Sequence, residues 1–158
     1  MSADKELVIR RVDPASPDCR VLIEELDRVQ KSLYPPENNY LDSIEELQKP
    51  NCHFLAAYVD EQVVGCGALK IVDDNYSELK RMYVVADHRQ RGIGQRLLEE
   101  LESRSAQSGI WLVRLETGVS QPEALALYRR NGYKETGAFG QYSDSDLNIF
   151  MEKRIRKA

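Results

Sequence analysis

Between residues 89 and 94 the chain carries arginine and glycine at a spacing suited to binding phosphate. Arg89, Gly92 and Gly94 lie in the run RQRGIG, and the apolar residues after it recur at helical spacing. The first turn of a helix has backbone N–H groups without intrahelical partners, and glycine places no side chain in front of them. The segment predicts a phosphate or pyrophosphate site at a helix N-terminus. The alternative is a tight turn with a solvated basic face.

Length and composition indicate one ordinary globular domain over residues 1–158. The chain is 42% hydrophobic and 30% charged, values typical of soluble proteins. No apolar run approaches the length of a membrane span, and the N-terminus lacks the apolar segment of a secretory signal. We expect a cytoplasmic protein without a membrane partner.

Charge and metal-binding residue types limit the ligands further. The formal net charge is −4, and no long stripe of lysine and arginine is present, so nucleic acid is not an expected partner. The three cysteines are widely spaced and are interpreted as packed thiols. His53 and His88 are isolated from other ligand types, so no metal site is expected.

Hydrophobic periodicity and turn residues predict the elements that must position this segment. The predicted strands are Glu6–Val12, Phe54–Val59, Val63–Val72, Leu79–Val85, Ile110–Glu116, Tyr133–Phe139 and Leu147–Arg154. Helices are predicted after Ser16, after the capping pair Asp42 and Glu45, from Arg91 to Gly109, and from the capping box Ser120 and Glu123 to Asn131. Gly65 and Gly67 interrupt a strand, which indicates a bulge or a close approach by another group.

Two motifs and this element order resemble the GNAT superfamily of N-acyltransferases. Arg89, Gly92 and Gly94 match the family's acyl-CoA pattern R/Q-x-x-G-x-G/A. The run from Thr117 to Tyr133 matches a later family pattern, T-G-x-x-Q-x-x-A-x-x-L-Y-x-x-x-G-Y. The resemblance covers nearly the whole chain. It implies an α/β fold with a mixed central sheet of about seven strands, splayed at its central parallel pair and flanked by about four helices.

The resemblance implies acetyl-CoA as co-substrate, with the pantetheine pairing like an added strand with the central strand. The amide of Val84 would polarise the thioester carbonyl. The residues implied in cofactor binding are Met82, Tyr83, Val84, Arg89, Gln90, Arg91, Gly92, Ile93, Gly94, Gln95, Gln121 and Tyr128. Gln121 stands where many members carry asparagine.

The resemblance also implies two catalytic residues. Tyr128 matches a tyrosine that protonates the departing thiolate, and Glu78 matches a position used for a general base. The structural alternatives are an aromatic that seals a helix on the sheet for Tyr128 and a solvent-facing carboxylate for Glu78. Glu116 is a weaker candidate for the base.

Two loops of aromatic and amide residues are the candidates for acceptor recognition. They contribute Tyr34, Asn38, Asn39, Tyr40 and Tyr142, which suit a small amine or an amino acid but also suit plain loop packing. The expected reaction is direct transfer of acetyl to a small amine in a ternary complex. The rivals are a protein lysine or N-terminal acetyltransferase and a non-catalytic acyl-CoA sensor. Dimers are common in the family, and the C-terminal strand is the edge expected to pair.

Overall fold

The computed structural model describes residues 6–155, so the ends of the expected domain, residues 1–5 and 156–158, lie outside it. The strands are β1 Leu7–Arg11, β2 Cys52–Val59, β3 Gln62–Ile71, β4 Ser77–Val84, β5 Leu112–Gly118, β6 Lys134–Thr136 and β7 Asn148–Arg154. The helices are α1 Pro17–Leu33, α2 Ile44–Leu47, α3 Ile93–Gln107 and α4 Pro122–Arg130, with 3-10 turns at Pro36–Asn38 and Ala86–His88.

One seven-stranded sheet holds all these strands, in the order β1-β2-β3-β4-β5-β7-β6. Only β4 and β5 are parallel neighbours, as expected for strands joined through a helix. They pair at three positions, from Ser77 with Val113 to Leu79 with Leu115. Beyond Leu79 the two strands separate, and this splay opens the sheet on the side where β4 leads into α3.

A bulge in β4 accompanies the splay. Cys66 pairs with Tyr83 but Ala68 pairs with Lys80, so Gly67 faces two residues of β4 instead of one. Arg81 adopts a φ of 58° within this bulge. A Cβ at Gly67 would lie 2.6 Å from the Met82 sulfur and 2.9 Å from Leu101, so any larger residue would have to displace these side chains. The predicted bulge and close approach are both confirmed.

Helices cover both faces of the sheet. On one face α3 and α4 bury leucines such as Leu97, Leu98 and Leu125 against β2, β3, β4 and β5. On the other, α1 and α2 pack Leu22, Leu26 and Leu47 over β2 and β3. The fold expected from the resemblance is therefore confirmed, including the parallel central pair and the four helices.

Three local predictions are wrong. α2 is capped by Ser43, whose hydroxyl accepts the Glu46 N–H at 3.2 Å, and not by Asp42. α4 begins after Gln121 with no side-chain cap, so Ser120 is not its N-cap. The strand expected over 133–139 shrinks to β6, because the chain turns away after Thr136 to form the loop that precedes β7.

The C-terminal strand is not an edge. β7 pairs with β5 along its whole length on one side and with the short strand β6, over Phe150–Glu152, on the other. The edges of the sheet are β1 and β6. The expectation that the C-terminal strand is the edge through which a dimer would pair is therefore wrong, because β7 lies between β5 and β6.

Candidate active site

The splay between β4 and β5 opens into two connected spaces. The outer cleft has a volume of about 590 Å³ and runs between α1, the end of β4, the start of α3, and α4. The inner cavity, of about 80 Å³, lies deeper, between α1, the loop at 38–41, the middle of β4 and the end of β5. Both spaces are lined by Leu26, Gln30, Met82, Gln121, Ala124 and Tyr128, which mark their junction.

The outer cleft collects almost all the residues that the sequence suggested for the cofactor. Its walls include Met82, Tyr83, Val84, Arg89, Gln90, Gly92, Ile93, Gly94, Gln95, Gln121 and Tyr128. Arg91 is exposed and lies outside the lining. Arg130 of α4 also lines the cleft. The sequence analysis did not identify it, because the sequence does not show which arginine of a helix faces a distant loop.

The start of α3 has the open backbone that an anion site requires. Its N-cap Gly92 has a φ of 77° and provides no side chain to cap the first turn. A Cβ at Gly94 would lie 3.3 Å from Leu127 of α4, so the two helices approach closely here. Arg89 is held in place beside them, since its Nε donates to the Val84 carbonyl at 2.9 Å.

Tyr128 lies at the junction of the two spaces. Its side chain is buried and packs edge-on against Tyr133, with ring centroids 5.8 Å apart. Within residues 6–155 its hydroxyl has no hydrogen-bond partner, which leaves the O–H free for a ligand. Burial, together with the nearby Glu116 carboxylate, raises the pKa of Tyr128 above the usual phenol value of 10.0. The residue is therefore a neutral O–H donor at physiological pH.

Tyr34 bridges α1 to the turn that precedes α4. Its hydroxyl accepts the Ser120 N–H at 3.0 Å and donates to the Gln121 side-chain oxygen at 3.3 Å. The ring passes so close to Gly118 that a Cβ there would lie 1.8 Å from the hydroxyl oxygen. Tyr34 lines the inner cavity, but its hydroxyl is already committed to these bonds.

The two asparagines of the same loop also line the inner cavity. The Asn38 amide donates to Ser145 at 2.8 Å and to Asn148 at 2.9 Å, which ties this loop to the start of β7. The Asn39 amide donates to the Tyr34 carbonyl at 3.1 Å. Both amides therefore hold the wall of the cavity together.

Tyr142 and Glu78 belong to a polar cluster beside the inner cavity, and neither is part of its lining. The Tyr142 hydroxyl donates to Glu78, and Lys80 lies 3.4 Å from the same carboxylate. Lys80 also pairs with Asp42 at 3.0 Å. Tyr40 packs edge-on against Tyr142, with ring centroids 4.7 Å apart. The cluster joins both predicted acceptor loops to β4.

Glu116, the weaker of the two candidates for a base, lies in the wall of the inner cavity together with Tyr128. Its Oε2 accepts one hydrogen bond, from the Asn148 amide at 2.8 Å. Burial raises the pKa of Glu116 above the usual carboxyl value of 4.5, and the bond from Asn148 offsets this only in part. The sequence analysis ranked Glu78 above Glu116 because Glu78 lies at the start of the central strand. The loop residue that contacts Glu78 in the fold, Tyr142, is distant in sequence.

The cysteines are all buried and free, and none lines either space. Burial raises the pKa of Cys66 to about 12, which suits a packed thiol and not a nucleophile. Over residues 6–155 there is no group of three or more potential metal ligands. No helix in that same range is long and apolar enough to cross a membrane.

An uncapped helix start beside a splayed parallel pair, with a free tyrosine hydroxyl at the junction, is the arrangement expected of an acyl-CoA-dependent transferase. Comparison with known families agrees with this class. Residues 20–133 match the model of the acetyltransferase (GNAT) family, and the chain belongs to that family. It is an acetyl-CoA-dependent N-acetyltransferase, an acyltransferase enzyme.

Two of the similar proteins cover nearly the whole chain, and a third covers about two thirds of it. It is 43% identical over 150 residues to an IAA acetyltransferase of Azospirillum brasilense, which covers 94% of this chain and 98% of that protein. It is 33% identical over 102 residues to a spermidine N(1)-acetyltransferase of Thermoplasma acidophilum, covering 64% of this chain and 58% of that one. A solved acyl-CoA N-acyltransferase structure from Klebsiella pneumoniae superposes with a TM-score of 0.82 at 33% identity, covering 95% and 98% of the two chains.

Proposed function

We propose that the protein transfers acetyl from acetyl-CoA to the amine of a small molecule, by direct attack while both substrates are bound. One observation carries the proposal: the outer cleft and the inner cavity meet at Tyr128. A thioester lying along the cleft would present its acyl carbon at the junction, and an amine in the cavity would reach it from the other side.

A small acceptor is favoured over a protein because the inner cavity is bridged by its own loops. Tyr34 and Asn38 hydrogen-bond across it to the turn before α4 and to the start of β7. A peptide substrate would need an open groove at this place. The volume of about 80 Å³ suits the amine end of an acceptor and little more. A relative named for spermidine, an amine, supports the same class.

The pantetheine and pyrophosphate of acetyl-CoA would lie in the outer cleft. The uncapped first turn of α3 would receive the pyrophosphate, with Arg89 and Arg130 adding positive charge. Met82 lines both spaces, whereas Val84 lines only the outer one. We therefore assign the amide that polarises the thioester carbonyl to Met82 in preference to Val84.

Tyr128 would serve the departing thiolate. When the C–N bond forms and the C–S bond breaks, the thiolate takes a proton and the attacking nitrogen loses one. Because burial raises the pKa of Tyr128, full proton loss from the phenol is unfavourable on its own. Tyr128 therefore stabilises the thiolate by its hydrogen bond and passes a proton only as the nitrogen supplies another.

The test is the initial rate of CoA thiol release with a panel of acceptors: amines, their α-carboxylated counterparts, aminoglycosides and lysine peptides. We expect release with one class of small amine, the acetylated amine as product, and a large loss of rate in Tyr128→Phe. Release with peptides alone would refute the small-molecule acceptor. Tight acetyl-CoA binding with no release for any acceptor would support the sensor instead.

A further inference from the structure

The carboxylates around the inner cavity differ in what they already bind. Glu78 accepts a hydrogen bond from Tyr142 and contacts Lys80, and Lys80 pairs in turn with Asp42. The side chains of Glu78 and Lys80 are each 8% exposed, so these charges compensate one another away from water. Glu78 therefore already has a counter-ion, and it does not line the inner cavity where a substrate amine would lie.

Glu116 is the carboxylate of the cavity wall that accepts a single hydrogen bond and has no counter-ion. Asn148 donates to its Oε2 at 2.8 Å, and its Oε1 makes no hydrogen bond to any other described residue. No cation of the described part of the chain lies within ion-pair distance of it, although it is half-buried at the end of β5. A partly desolvated carboxylate without a counter-ion favours a cation from outside.

The cations of the cavity wall are not available to an anion. Lys80 has Asp42, Glu78 and the Tyr142 hydroxyl around its ammonium, the last at 3.0 Å. Arg81 pairs with Asp27 at 2.5 Å. Its Nε and Nη1 have no partner within residues 6–155, but both atoms are buried, and the Nη2 already carries the ion pair with Asp27.

We propose that Glu116 binds the acceptor ammonium and takes its proton, and that the cavity selects amines with no carboxylate next to the amine. This inference rests on the proposed function and names the acceptor class of that site. The ammonium N–H bond breaks toward Glu116, which releases the proton to solvent. The free amine then attacks the acyl carbon beside Tyr128. Asn148 holds the carboxylate in place, and Asn38 holds Asn148.

The experiment compares the best amine of the panel with its α-carboxylated counterpart, as with 1,5-diaminopentane and lysine, or agmatine and arginine. An unpaired acceptor carboxylate would face a cavity whose uncompensated charge is negative. We expect kcat/KM at least about tenfold higher for the member without the carboxylate. An equal or higher kcat/KM for the amino acid would overturn the inference while leaving the proposed function in place.

The second arm measures Glu116→Gln with the same amine. Loss of a general base predicts a fall in kcat/KM of roughly 10²-fold or more, with loss of the ascending limb of the pH profile. The affinity for acetyl-CoA should stay unchanged, which reports a folded protein. Glu135→Gln, the same change on the exposed strand β6, should keep wild-type rates. A Glu116→Gln variant with near wild-type kcat/KM and pH profile would overturn the assignment, whereas no turnover of any amine by the wild type would remove the proposed function itself.

Discussion

Replacement of Gly118 by alanine tests how the acceptor wall is built. The new Cβ would lie 1.8 Å from the Tyr34 hydroxyl oxygen and 2.0 Å from Cζ, so the ring must move. Moving it breaks the bonds from Ser120 and to Gln121. At about 0.5–1.5 kcal/mol for each bond, the closed wall loses about 1–3 kcal/mol. Because about 1.4 kcal/mol is tenfold, kcat/KM for the acceptor should fall by about 5- to 150-fold.

The assay is thiol release at varied acceptor, with acetyl-CoA affinity measured separately. Most of the loss should appear in kcat/KM for the acceptor, because Tyr34 lines only the inner cavity, and a smaller change in acetyl-CoA affinity should follow from its partners Ser120 and Gln121 in the outer cleft. Gly137→Ala is the matched control, since its Cβ would meet nothing within 4 Å. Adding Tyr34→Phe to Gly118→Ala should cost little more, because the same bonds are already broken. Wild-type kinetics in Gly118→Ala would refute this account of the wall.

Three further substitutions separate the roles of the site. Tyr128→Phe should lower turnover by roughly 10²-fold or more while acetyl-CoA affinity stays within about twofold, and unchanged turnover would contradict its role. Lys80→Met leaves the buried Glu78 and the half-buried Asp42 without their counter-ion and should cost about 3–5 kcal/mol of unfolding free energy in thermal melts, against under about 1 kcal/mol for the exposed Lys49→Met. Gly92→Ala and Gly109→Ala both strain a φ of 77°, so both should cost about 1–2 kcal/mol, but only the former should weaken acetyl-CoA binding.

The buried Lys80 also predicts a pH dependence of stability. Burial lowers its pKa, but the Glu78 and Asp42 charges outweigh burial and raise the pKa above the ordinary 10.5. The folded protein therefore holds this proton more tightly than the unfolded chain does. The stabilisation is fully present below pH 10.5 and is lost as the pH rises through the higher folded value. Chemical denaturation should show the loss in the wild type and little of it in Lys80→Met.

Much of the fold was predictable because its signals are local. Alternation and periodicity gave the order of strands and helices, and the two glycines of β3 gave the bulge that positions Met82. Turn chemistry was less reliable: Ser120 has the composition of a helix cap, but its N–H donates to Tyr34, a residue 86 positions away. Long-range partners of this kind leave no mark in the local sequence.

The site was predictable only where a motif fixed it. The segment from Arg89 to Gln95 lies in the outer cleft except for Arg91, whose orientation depends on the turn after Gln90, at a φ of 63°. The base in the inner cavity was harder to predict, because the position of a carboxylate in a strand does not show whether the fold gives it a counter-ion. Glu78 is held in a polar cluster and Glu116 is not. Two residues of that cluster, Asp42 and Tyr142, are brought to β4 by separate loops.

A two-substrate rate matrix shows whether acetyl passes directly from acetyl-CoA to the amine. Initial rates measured over acetyl-CoA and the best amine should give intersecting double-reciprocal lines, as both substrates must occupy the joined cavities before any product leaves. Parallel lines, together with an acetylated protein detected by intact mass after incubation with acetyl-CoA alone, would contradict the claim and require a covalent intermediate.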